Sequence, residues 1–238
     1  MAMLELLRKC WRLLPESATE RLRGFPPLVA VRNWLARRRW QGASHDEIYD
    51  EEYFQFVDRT TKQSAEVIAD SIIKEFRPLS VVDVGCGTGA LLESLRTRGV
   101  EVKGLEYAQS ALEFCWARQL DVMKFDVASD ELPQLGNTDL VISMEVGNQL
   151  HESSADRYID MLCRIAPLVV FSSEIPGGGD RLPRNERPHR YWIEKFNGRG
   201  YRYYEAQSLQ WRKDWKDKST APWFSRNVMI FRSSAKER

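Results

Sequence analysis

Three glycines fall within five residues in the stretch Val81-Val82-Asp83-Val84-Gly85-Cys86-Gly87-Thr88-Gly89-Ala90, and no other feature constrains the fold as much. The β-branched run before them predicts a buried strand, and Leu91, Leu92 and Leu95 after them open a helix. Glycines at such a turn permit backbone angles closed to other residues and let a ligand approach the main chain. A plain strand-to-helix turn has little use for three of them. The stretch reads as a loop for a nucleotide-type ligand.

The same residues fit a relaxed dinucleotide fingerprint, Gly85-Cys86-Gly87-Thr88-Gly89-Ala90, with Glu106 placed to hold ribose hydroxyls at the end of the next strand. These features leave two nucleotide classes open. The block Asp83-Val84-Gly85-Cys86-Gly87-Thr88-Gly89 resembles the first motif of the class I S-adenosylmethionine (SAM)-dependent methyltransferases, and the resemblance runs from about Tyr49 to the C-terminus. It implies a SAM site of Asp83, Gly85, Cys86, Gly87, Thr88, Gly89, Glu106 and Tyr107, with Asp126 and Val127 beside the adenine and Met144 at the fourth strand end. An acid at Asp126 accepts from the adenine amino group in that pattern, whereas a nicotinamide fold has no task for it.

Strands expected at residues 81–84, 100–105, 122–125, 139–144 and 168–172 alternate with helices, and two more, at 201–205 and 227–231, suit a terminal hairpin. The fold class is α/β: a doubly wound, mostly parallel seven-stranded sheet, the Rossmann-like methyltransferase fold of the resemblance, with an N-terminal helical extension. The domain boundary falls at residues 44 and 45, between a basic amphipathic extension (1–44) and the methyltransferase domain (45–238). Within the extension, helices are expected over 3–14 and 27–40, and basic residues outnumber acids nine to three. They either cap the domain or form a surface for anionic lipid through residues 1–40. A linker is expected over 41–45, a helix over 61–76, and a Ser110–Glu113 capping box at the start of the next helix but one.

The near-balance of 35 Lys and Arg against 34 Asp and Glu argues against a general nucleic-acid partner. The Trp211–Lys216 stretch, with Asp214 between its tryptophans, reads as a solvated loop or acceptor lid. Four cysteines without paired spacing imply no zinc site, no disulfide framework and a reducing cytoplasm. No run of apolar residues is long enough to span a membrane.

Methyl transfer from SAM is an in-line displacement, so the protein must align the nucleophile, exclude water and, for a hydroxyl, remove a proton. Base candidates are His151, His189 and Glu145. Similar small-molecule methyltransferases carry a Glu-His-Leu type sequence after the fourth strand. Here that place reads Asn148-Gln149-Leu150, with His151 one residue later. Glu145 and Glu174 are the only hint of a metal, and none is expected. Tyr49 and Tyr53 are lid candidates over the cofactor or packing residues beneath the extension. The expected activity is methyl transfer to a small-molecule acceptor, at oxygen. The alternatives are an NAD(P)-dependent oxidoreductase and a non-catalytic SAM-binding or membrane-docked protein. Oligomeric state and acceptor identity are not legible.

Overall fold

The computed structural model describes residues 25–178, 181–182 and 184–236; the expected helix over 3–14 lies outside them. In chain order the elements are α1 (Pro26–Arg39), α2 (His45–Ile48), α3 (Glu51–Phe76), β1 (Ser80–Val84), α4 (Ala90–Arg96), β2 (Glu101–Glu106), α5 (Gln109–Ala117), β3 (Val122–Lys124), β4 (Leu140–Met144), a 3-10 turn (Glu152–Ser154), α6 (Ala155–Ile165), β5 (Leu168–Ser172), α7 (His189–Asn197), β6 (Tyr201–Tyr203), α8 (Glu205–Asp217), α9 (Pro222–Asn227) and β7 (Met229–Ser233).

The seven strands form one sheet in the order β3-β2-β1-β4-β5-β7-β6. The first five run parallel, and β7 lies antiparallel between β5 and β6. Side chains alternate between its faces as a two-residue period demands. Val169 and Phe231 are register partners on one face with Val82, Val141, Tyr158 and Trp192, while Val170 and Ile230 pair on the other with Val81, Ile142, Leu92 and Ile72. Helices α6 and α7 cover the first face, and α3, α4 and α8 the second. Five parallel strand ends therefore open on one edge, where loops supply the ligand contacts.

Several local expectations are corrected. Helix α3 begins at Glu51, ten residues before the expected start, because the Asp50 side chain accepts from Tyr53 N–H at 2.8 Å and Glu51 and Glu52 complement the first turn. The capping box expected at Ser110 does not form; α5 starts at Gln109 behind Ala108. Its preceding N–H groups go instead to the Glu106 carboxylate, which accepts from Ala108 N–H at 2.8 Å. A capping box does form at Ser44 and Glu47, within the expected linker, and opens α2. The Trp211–Lys216 stretch is neither loop nor lid. It lies within α8, with Trp211 and Trp215 four residues apart on the buried side. Trp215 Nε1–H donates to Ser71 Oγ on α3 at 2.9 Å, while Arg212 extends to Val228 O at 2.9 Å.

Candidate active site

A cavity of about 820 Å³ opens at the C-terminal strand ends. It is lined by the glycine loop after β1, Glu106 at the end of β2, Asp126 after β3, Glu145 after β4 and Glu174 after β5. Of the sequence-predicted residues it gathers Tyr49, Tyr53, Asp83, Gly85, Cys86, Gly87, Thr88, Glu106, Tyr107, Asp126, Val127, Met144, Glu145 and His151. Gly89 and His189 are outside its lining.

Gly87 takes φ +55, and a Cβ built on it would meet nothing within 4 Å. Its bare backbone is therefore an open cradle facing the cavity. Gly85 is glycine for a second reason: a Cβ there would lie 2.2 Å from Val146 Cγ2. Gly89 serves packing, since its Cβ would meet Leu120 Cδ1 at 2.5 Å and Cys115 Sγ at 3.0 Å. Cys86 Sγ lies 4.0 Å from Cys115 Sγ, and Cys115 donates to Gly87 O at 3.2 Å, so two thiols brace the loop from beneath.

Glu106 fixes the loop from above. Its Oε2 accepts from Gly87 N–H at 2.8 Å, and its Oε1 from Tyr107 N–H at 2.7 Å and Ala108 N–H at 2.8 Å. Burial pushes its pKa up against these three bonds. Asp83 differs. It is 4% exposed, and no hydrogen bond or ion pair engages its carboxylate among the described residues. Burial, then the neighbouring Glu106 charge, raises its pKa to about 8. Asp83 is a buried acid that lacks a cation.

At the other side of the loop, Asp126 accepts from Ala128 N–H at 2.8 Å and from Ser129 Oγ at 2.9 Å. Tyr49 is buried and Tyr53 half-buried, their rings 5.1 Å apart. The His45 ring lies 4.7 Å from Tyr49 and 4.9 Å, edge-on, from Tyr107, and burial holds its pKa below the usual value. Sequence reasoning missed His45, because a lone histidine in an apparent linker carries no signal.

The cavity's far end is built after β4 and β5. Glu145 takes φ +63, an uncommon conformation for a residue with a side chain. Its Oε1 accepts from Ser172 Oγ at 2.8 Å and from Asn227 Nδ2 at 3.4 Å. The same Asn227 amide donates to Glu174 Oε1 at 2.9 Å, and Arg226 Nη2 approaches Glu174 Oε2 at 3.3 Å. Glu174, Asn148, Arg181 and Arg184 line the cavity; the loops that carry them were expected at the strand ends, but none of the four was given a role in binding cofactor or acceptor. Glycine at 178 makes room for Glu174, since a Cβ there would lie 1.8 Å from Glu174 Cδ.

The two histidines part company. His151 is exposed at the cavity wall, its Nδ1 2.8 Å from Ser153 Oγ. The same Nδ1 accepts from Ser153 N–H at 3.4 Å, so the ring caps the 3-10 turn that precedes α6. His189 lies against Asn227 Oδ1 at 3.4 Å, where burial and then the Arg212 charge lower its pKa to about 4.

A glycine turn after the first strand, an acid closing the second and this strand order define a Rossmann-like enzyme of methyltransferase architecture. Residues 46–213 match the family described as methyltransferase domain, and the chain belongs to that family, within the class I SAM-dependent methyltransferases. Its cofactor is SAM. The open cradle at Gly87 and the uncompensated carboxyl of Asp83 fit a ligand that combines a ribose with a cationic amino acid. No curated protein sequence matches the chain. Solved structures do. PigF with SAH is 14% identical at a TM-score of 0.59, covering 87% of this chain and 68% of its own. Magnesium protoporphyrin IX methyltransferase from Synechocystis PCC 6803 with bound SAM is 17% identical at 0.54, covering 85% and 97%. Mitomycin 7-O-methyltransferase is 14% identical at 0.54, covering 77% of this chain; the chain spans 56% of that enzyme. These likenesses establish the fold. Family membership sets the oxidoreductase alternative aside.

Proposed function

We propose that the protein methylates a hydroxyl oxygen of a small molecule, with His151 taking the proton. The observation that carries this is one cavity lined both by the glycine loop, Glu106 and Asp126 and by His151, Glu145, Trp223 and Phe224. Bound SAM supplies an electrophilic methyl group on a sulfonium. In this reading Glu106 receives the ribose hydroxyls, Asp83 the amino-acid ammonium and Asp126 the adenine amino group, while Tyr49 and Tyr53 close over the cofactor. Tyr107, Val127 and Met144 flank it. The acceptor's hydroxyl lies toward the His151 ring, and the aromatic wall excludes water.

The fold is shared with a mitomycin 7-O-methyltransferase, which supports oxygen as the accepting atom. His189 is the weaker base candidate, since its ring faces Asn227 rather than the cavity. The test is turnover, read as SAH release across a panel of hydroxylated acceptors. His151→Ala is expected to lower kcat by about 10²-fold or more and to leave SAM affinity unchanged. Near-normal kcat removes His151 from the mechanism. No SAH release with any acceptor, despite SAM binding, favours the non-catalytic reading.

No helix among the described residues is long and apolar enough to cross a membrane. Phe25, just before α1, and Leu28, Val31 and Trp34 on it are nonetheless exposed, with Arg38 and Arg39 at its end. These support a peripheral contact with anionic lipid. Salt-sensitive cosedimentation with phosphatidylserine vesicles tests it, and its absence refutes the contact.

A further inference from the structure

The cavity wall carries five carboxylates, Asp83, Glu106, Asp126, Glu145 and Glu174, and two guanidinium groups, Arg181 and Arg184. Arg181 is partly engaged. Its Nη1 donates to Ile48 O at 2.7 Å and lies 3.3 Å from Asp50 Oδ1, and its guanidinium stacks 4.7 Å from the Tyr53 ring centroid. Arg184 differs, because its guanidinium has no hydrogen bond or ion pair among the described residues although carboxylates line the same cavity.

The backbone that presents Arg184 is nevertheless held firmly. Arg184 N–H and Asn185 N–H both donate to Asn148 O, at 3.2 and 3.0 Å, which ties this loop to the one after β4. Two residues on, Glu186 is buried, its side chain 3% exposed. Its Oε2 accepts from Gly177 N–H at 3.0 Å and from Arg32 Nη2 at 2.6 Å. A braced backbone thus presents an exposed guanidinium at the cavity wall, near enough to His45 for its charge to help burial lower that ring's pKa. Arginine at such a place recognises planar or tetrahedral oxyanions by paired N–H donation. The apolar part of a ligand held there would face Tyr53, Phe56, Trp223 and Phe224, which line the same cavity.

We infer that the methyl acceptor carries a carboxylate or a phosphate, that Arg184 seats this group with Arg181 beside it, and that the rest of the acceptor packs on the aromatic wall. The inference rests on the methyltransferase reading of the cavity. It makes the acceptor an anionic amphipathic molecule and predicts poor turnover of neutral analogues.

The test uses SAH-saturated full-length protein titrated with benzoate, phenyl phosphate and neutral benzyl alcohol, followed by ligand-observed NMR. At least one anion is expected to bind about tenfold or more tightly than benzyl alcohol. A preference between the two anions tells carboxylate from phosphate. Arg184→Gln is expected to cost that anion about tenfold or more, Arg184→Lys to retain part of the affinity, and SAH affinity to stay unchanged in both. Equal binding of benzyl alcohol, or an Arg184→Gln protein that holds the anion as tightly as wild type, overturns the inference. Loss of SAH affinity in Arg184→Gln also overturns it, since the arginine then serves the cofactor's own carboxylate. Wild-type protein that binds no SAH refutes the methyltransferase reading instead, and this inference with it.

Discussion

Asp83 should behave as a proton switch for cofactor binding. Its pKa rises from 3.8 to about 8 because burial removes water and no cation replaces it. At about 1.36 kcal/mol per pH unit, that displacement disfavours the ionised form in the ligand-free fold by roughly 5–6 kcal/mol. The folded protein holds this proton between about pH 4 and pH 8, while the unfolded chain does not. Ligand-free stability therefore falls as pH rises through that window, and the loss is complete above pH 8. Asp83→Asn removes the penalty, so the variant should unfold at higher urea than wild type at pH 8, the gap narrowing toward pH 5.5. Cofactor binding should act in the opposite sense, because an ammonium beside Asp83 stabilises the carboxylate. A carboxyl with a pKa near 8 is about nine-tenths protonated at pH 7. SAM binding to wild type should then release close to one proton that Asp83→Asn does not release. Calorimetry in phosphate and in Tris at pH 7 measures it, since the two buffers differ in ionisation heat. A binding enthalpy equally independent of buffer in both proteins refutes the assignment.

Glu106→Gln should weaken SAM by about tenfold or more, because an amide cannot satisfy the Gly87 and the Tyr107–Ala108 N–H groups together; calorimetry checks it, and unchanged affinity counts against Glu106. Gly104→Ala should destabilise by about 1–3 kcal/mol, since its Cβ would come within 2.7 Å of Val122 Cγ2, 2.8 Å of Leu92 Cδ1 and 2.9 Å of Cys86 Sγ; urea unfolding reads the loss. Arg32→Ala leaves the buried Glu186 carboxylate without its cation and should cost about 1–2 kcal/mol, discounted because Arg32 is itself 30% exposed. Arg32→Lys should restore part of that stability.

Features legible in the sequence were local. The glycine turn, its flanking strand and the acid at Glu106 lie within a short span, and β1, β4 and β5 show as largely apolar runs of strand length. Reading faltered where a distant partner decides the outcome. Ser110 has the spacing of a cap, yet Glu106, reaching forward from β2, claims the N–H groups ahead of it and moves the helix start. Trp211 and Trp215, with Arg212, Lys213 and Asp214 between them, read as a solvated loop or acceptor lid, and become core once α3 supplies Ser71 as a partner. Asn227 meets both Glu145 and Glu174 only because β7 runs beside β5, a pairing that no spacing announces. His189 attracts notice as a histidine in a basic loop, but the helix it begins turns its ring toward Asn227. Arg184 is one arginine among many in its segment, and only the fold, which ties its backbone to Asn148 at the cavity wall, sets it apart.

The position of β7 also has a consequence for the nascent chain. Strand β5 is complete at Ser172, yet the strand that covers its outer edge begins only at Met229. During synthesis of everything between them, Val169, Val170 and Phe171 present unpaired main-chain groups and apolar side chains at an open edge. The parallel half of the sheet can collapse early, while the far half waits for a strand made last and threaded into the middle. An intermediate with such an unpaired, apolar edge is prone to aggregate when the protein is overproduced.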